Sequence, residues 1–132
     1  PLLHIADATA ERIQAQGLRR VGLLGTRFTM EEDFYKGRLE QRFGLQVLIP
    51  GAQDRQIIHR VIFDELVLGK IEPRSKEQYL AIIDELVRQG AQGIILGCTE
   101  IGLLVKQSDC HVPIFDTTMI HATAAVQWAL QE

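Results

Sequence analysis

A chain of 132 residues, 46% of them hydrophobic, can bury the core of one compact α/β domain. Its net charge of −3 gives no electrostatic case for nucleic acid or an anionic membrane as a partner, and no apolar run approaches the roughly 20 residues of a membrane span. The two cysteines, Cys98 and Cys110, fit a reduced compartment, where a structural disulfide is not expected, and the absence of a C-x-x-C or H-x-x-x-H pair argues against a zinc site. No signal peptide is read at the start, so the expected compartment is the cytoplasm.

The chain opens at Pro1, and Pro1-Leu2-Leu3-His4-Ile5 reads as a buried strand rather than a ragged end. The expectation is therefore an internal piece of a longer protein. Helix formers follow from about Ile5 to Gln16, stopped by Gly17. Arg20 to Leu24 is a short apolar strand. Met30 to Phe43 is amphipathic, with Phe34, Leu39 and Phe43 expected on one face and Gly44 closing it. Gln46 to Ile49 is a second strand, ended by Pro50-Gly51. From Asp54 to Leu68, Ile57, Ile58, Val61, Ile62 and Leu66 recur at helical spacing, and Gly69 ends the run. Ser75 with Gln78 three residues on has the spacing of a capping box. The helix it opens would bury Tyr79, Ile82, Ile83, Leu86 and Val87. Gly93 to Leu96 is the most strand-like run, followed by a short helix through Leu104. Val112 to Phe115 is a strand, and Asp116-Thr117-Thr118 caps a last helix towards Leu130, packed by Trp128 as an anchor. Strands alternating with helices predict an α/β fold, a parallel sheet flanked by helices.

Two strand ends look alike. Val21-Gly22-Leu23-Leu24-Gly25-Thr26 and Gly93-Ile94-Ile95-Leu96-Gly97-Cys98-Thr99 each run from an apolar strand through a Gly into small polar residues and a helix. Ligands of open α/β sheets bind outside such carboxyl ends, where helix N-termini offer unpaired N–H groups to an anion. The same composition also makes plain tight turns. Cys98 stands just before a helix start, where a thiol is expected to ionise more readily than a free one. These features leave open both a turn without chemistry and a reactive thiol of unstated chemistry.

The motifs carry a resemblance. Gly97-Cys98-Thr99-Glu100-Ile101 resembles the second cysteine motif of the aspartate/glutamate racemase family. Gly22-Leu23-Leu24-Gly25-Thr26-Arg27-Phe28-Thr29-Met30 is similar to the opening of that family's second lobe. Asp64-Glu65-Leu66 with Gly69-Lys70 resembles its lysine segment, and Phe115-Asp116-Thr117-Thr118 with His121-Ala122 its C-terminal return. Glu100 after Cys-Thr is similar to the aspartate racemase branch.

The resemblance implies one lobe of a two-lobed, cofactor-independent amino-acid racemase. Two thiols would face opposite sides of the substrate Cα, one removing the α-proton and the other delivering one. Cys98 would be one of them and the other would lie upstream of Pro1. Thr26, Thr99 and Lys70 would bind the amino-acid substrate, with no metal or other cofactor. Residues 1–17 would end the missing first lobe, 18–110 would form the second, and 111–132 would return to the first. The chain alone would be inactive and a homodimer is possible, through an apolar face made by Leu2, Leu3 and Ile5 at one end and Val126 and Trp128 at the other. Cys110 lacks a strand-end setting and is not expected to replace the missing thiol. Arg27 is ambiguous between substrate charge and surface. His4, His59 and His121 read as structural, the last satisfied by hydrogen bonding near the Asp116 cap, and Glu100 as a cap of its own helix. Related enzymes with such lobes, among them hydantoin racemases, maleate isomerases and arylmalonate decarboxylases, stay open as alternatives. So does a non-enzymatic small-anion-binding domain.

Overall fold

The structure, a computed structural model, describes residues 4–130. The strand expected over 1–5 falls mostly outside that range. Within it, His4 is a cap: its Nδ1 accepts the N–H of Ala6 at 3.0 Å, and α1 (Ile5–Ala15) begins at once. Ile5 is exposed, because α1 turns Ala6, Ala10 and Ile13 inward instead.

After β1 (Arg20–Leu24), the single helix expected over 30–43 is two, α2 (Arg27–Glu31) and α3 (Asp33–Phe43). Glu32 sits between them in extended backbone, φ −90° and ψ 156°, which no helix can carry through. The break changes the buried face. Phe34 and Leu39 lie about 140° apart around α3 at 100° per residue. Leu39 and Tyr35, one helical turn apart, take the core, and Phe34 is left exposed.

β2 (Gln46–Leu48) precedes α4 (Ala52–Asp64), whose expected last turn is a separate 3-10 turn, Leu66–Leu68. α5 (Pro73–Arg88) starts with Pro73 in its first turn, where a missing N–H costs nothing. Ser75 therefore lies inside the helix, not at its cap. Its hydroxyl donates to Glu65 Oε1 at 2.5 Å and ties α5 to the end of α4. The buried side of α5 is Tyr79, Ile82, Ile83 and Leu86, with Val87 half-buried. β3 (Ile94–Leu96), α6 (Ile101–Leu104), a 3-10 turn (Gln107–Asp109), β4 (Ile114–Asp116) and α7 (Thr117–Leu130) complete the order.

The four strands are parallel in the order β2-β1-β3-β4. Alternating side chains divide between two faces, as the period of a strand requires. Val21, Leu23, Val47, Ile95 and Phe115 meet α1, α3 and α7 on one face. Leu24, Ile94 and Leu96 meet α4, α5, α6 and Met30 of α2 on the other. Asp7 and Arg38 join α1 to α3 through two hydrogen bonds of 2.8 and 2.9 Å, and the guanidinium holds the Asp7 carboxyl below its usual range. The last helix departs from expectation at Trp128. It is 42% exposed, with Val126 and Leu130 exposed on the same helix, so among the described residues it is no part of the buried core.

Candidate active site

Three strands release the chain side by side. Leu24 pairs with Leu96 and Leu96 with Asp116, so the ends of β1, β3 and β4 are level. The chain goes from β1 outward to β2, then crosses back to β3. The boundary between β1 and β3 is thus where the winding reverses, the place at which open α/β sheets leave a crevice. Gly97 brings the two turns together there. Its N–H donates to the Leu24 carbonyl at 2.7 Å. A Cβ at this position would stand 3.0 Å from that oxygen and 3.1 Å from Thr29 Cγ2.

Thr26, Cys98 and Thr99 all fall on these turns. Thr26 caps α2, its Oγ1 accepting the N–H of Thr29 at 3.4 Å and meeting Thr29 Oγ1 at 3.2 Å. The exposed Thr99 has its Oγ1 3.3 Å from Thr118 Oγ1, linking the β3 turn to the start of α7. Thr117 reinforces that link from below, its buried hydroxyl donating to the Leu96 carbonyl at 2.9 Å. Asp116 caps α7 as expected, Oδ1 accepting the N–H groups of Thr118 and Met119 at 3.1 and 3.2 Å. Lys70 is not brought into hydrogen-bond contact with these groups. It is exposed on the α4–α5 connection, its backbone N–H held by the Glu65 carbonyl at 2.9 Å, just past the 3-10 turn that packs against α6.

Cys98 is not the easily ionised thiol its position suggested. Burial pushes it up to about 11, and Glu100 adds to this by accepting a hydrogen bond from the thiol, Sγ to Oε2 2.9 Å. The N–H groups of Glu100 and Ile101 pull the other way but lose. Glu100 itself makes no side-chain cap bond, contrary to the reading of it as a cap. Its carboxylate serves Cys98 instead.

Cys110 lies elsewhere. It follows the turn at Gln107–Asp109 and leads into β4, and Pro113 in that segment accepts the N–H of Ile94 where β3 begins. It therefore sits towards the opposite end of the sheet from Cys98. Burial, then Asp109, raises its pKa.

Sequence reasoning missed two features around the crevice. His59 of α4 accepts the N–H of Arg27 on its Nδ1 at 2.9 Å, fixing the first turn of α2. A long-range bond between a mid-helix His and a turn leaves no periodic signal. Beside Gly97, Ile5, Phe28, Thr29, Phe34 and Tyr35 line an apolar recess of about 180 Å³. His121 departs from its expected satisfaction: among the described residues its buried Nδ1 has no hydrogen-bond partner.

The sequence model described as Asp/Glu/Hydantoin racemase matches residues 1–125. The chain belongs to the Asp/Glu/hydantoin racemase family. Solved structures agree. A candidate Asp/Glu racemase from Yersinia pestis is 55% identical with a TM-score of 0.96, covering 98% of this chain and 56% of its own. An aspartate racemase homologue from Pyrococcus horikoshii is 40% identical with a TM-score of 0.91, over the same shares. An aspartate racemase from Picrophilus torridus, 23% identical with a TM-score of 0.66 over 87% of this chain and 47% of its own, shares the fold. The chain thus spans about half the length of these racemase relatives. Among the described residues, no helix is long and apolar enough to cross a membrane.

Proposed function

We propose that this racemase-family lobe supplies Cys98 as one of two thiols that exchange the α-proton of an acidic amino acid without a cofactor. The observation that carries the reading is the setting of Cys98. It alone of the two cysteines follows the end of β3 at the β1–β3 boundary, with Thr99 next in the chain and Thr26 on the neighbouring turn after β1. Racemization needs a base on one face of Cα and an acid on the other. One thiol at this crevice can fill one of those positions. The second thiol then comes from outside residues 1–132, or from a second copy of the chain. The Pyrococcus relative, described as an aspartate racemase homologue, favours aspartate or glutamate as the substrate.

Substrate handling follows from the same crevice. The Thr99 hydroxyl is exposed and oriented by Thr118, and the Thr26 turn is fixed by its own cap, so both can meet a carboxylate without reorganising. Lys70 would add the positive charge a dicarboxylate requires. In a chain carrying both thiols, Lys70→Ala is expected to cost about 10²-fold in kcat/KM while Lys70→Arg keeps most of it. Steady-state rates for the two variants check this, and normal kinetics in Lys70→Ala would leave Lys70 a surface residue.

The experiment that tests the proposal follows racemization of L-aspartate and L-glutamate by circular dichroism, alongside mass in solution. Residues 1–132 as a monomer are expected to show no turnover, and a protein bringing in the second thiol to show it. Rapid racemization by the monomer, or none by the protein with both thiols, would remove the two-thiol reading. Turnover confined to a dimer would mean that two copies of Cys98 share a substrate.

A further inference from the structure

The most unexpected contact at the crevice is between two groups two residues apart. Glu100 has the N-cap position of α6 yet makes no cap bond, and its Oε2 lies 2.9 Å from Cys98 Sγ with the thiol as donor. A carboxylate this near a thiolate would be two like charges in a half-buried place, while a carboxylate near a thiol is a hydrogen bond. The surrounding charges do not reverse that choice. Tyr79 of α5, within electrostatic reach of the thiol, gives its hydroxyl to the Ile58 carbonyl at 2.6 Å and brings no positive charge. Asp116 of β4 faces Gly102 and is occupied by the start of α7. Lys106, the cation that follows α6, donates its Nζ to the Gly102 carbonyl at 2.5 Å. Arg27, on the neighbouring turn, lies along α2 towards Glu31.

We infer that Glu100 is a positioning residue that keeps Cys98 protonated in the resting protein, so that this lobe presents its thiol as the proton donor. The inference rests on the racemase reading for its catalytic meaning, not for its chemistry. In the resting state the opposing thiolate is the base. It takes the α-proton, the electron pair stays on Cα, and Cys98 then breaks its S–H bond to form the new Cα–H bond on the other face. The thiolate left on Cys98 faces Glu100, so this protonation state of the enzyme is the less favoured of the two. In the return direction that thiolate removes the α-proton, so that the S–H bond re-forms on Cys98 and its hydrogen bond to Glu100 is restored. Two forms of unequal stability make the two directions saturate differently, although an equilibrium constant of one requires equal kcat/KM.

The test reads Cys98 directly and needs no turnover. In the full chain carrying Cys110→Ser, so that one thiol remains, the rate of iodoacetamide alkylation is followed from pH 7 to 11.5. The parent is expected to rise only in the alkaline half of that range. Glu100→Gln removes the charge and is expected to alkylate about tenfold faster at pH 8, the gain from one pKa unit. Because Glu100→Gln can also loosen the turn, thiolate absorbance near 240 nm is titrated in the unmutated chain against Cys98→Ser. A difference signal absent at pH 8 and present at high pH supports the inference. Thiolate at Cys98 at pH 8, or a Glu100→Gln profile superimposed on the parent, overturns it. Failure of the racemase reading would show instead as absent turnover in a protein with both thiols, with these profiles unchanged.

Discussion

In a protein that carries both thiols, Cys98→Ala is expected to lower racemization by about 10³-fold or more in both directions. Each turnover uses one thiol to take a proton and one to give it, and a positioned acid or base contributes up to about 10⁴-fold. Alanine at position 98 also frees the Glu100 carboxylate from its only described side-chain partner, leaving a negative group where the donor stood. The other thiol is untouched, so α-proton exchange with solvent should survive for one enantiomer alone. Circular dichroism reads racemization, and proton NMR in D2O reads exchange for each enantiomer separately. Wild-type racemization by Cys98→Ala would remove Cys98 from the chemistry. Exchange lost from both enantiomers would mean that the two faces are not served independently.

Gly97→Val should unsettle the fold and the site together, at a cost of about 3 kcal/mol, the upper range for forcing methyl groups into packed space. A Cβ at Gly97 would stand 3.0 Å from the backbone oxygen of Leu24, which cannot rotate away as a side chain can. Thr29 Cγ2 and Leu23 Cδ1, at 3.1 and 3.3 Å, close the other directions. Relief requires the β1 and β3 turns to part, breaking the 2.7 Å hydrogen bond between them. Urea unfolding measures the loss, and the same protein should lose activity beyond what its folded fraction explains. A variant of normal stability would mean that the two turns are looser than their geometry states.

The parallel sheet and its order of elements were legible because the apolar runs at 20–24 and 93–96 are separated by amphipathic segments with glycine stops. The place of the candidate site was legible in outline, through the likeness of two strand ends that the sheet sets side by side. What was not legible is instructive. A helix seam at Glu32 cannot be seen when both sides have helical composition, and it moved Phe34 out of the core. The capping box at Ser75 was outcompeted by Pro73, which fixes the helix start two residues earlier. The thiol of Cys98 was misjudged because sequence gives the place of a helix start but neither the burial of the thiol nor the direction of the Glu100 side chain. Burial and one carboxylate outweighed two backbone N–H groups.

The winding that creates the crevice also dictates when it can exist. Gly22 of β1 pairs on one side with Leu48 and on the other with Ile94, and β3 in turn pairs with β4 at Ile114. The first pairing closes a short loop, whereas the second must wait for α4 and α5 to be made and folded back across the sheet. Such remote pairings delay folding because chain entropy is spent before the contacts repay it. On a ribosome, β1 and β2 can meet with α3 against them while Cys98 is still unsynthesised. The boundary between β1 and β3, with the candidate site on it, is then the last part of the sheet's centre to close.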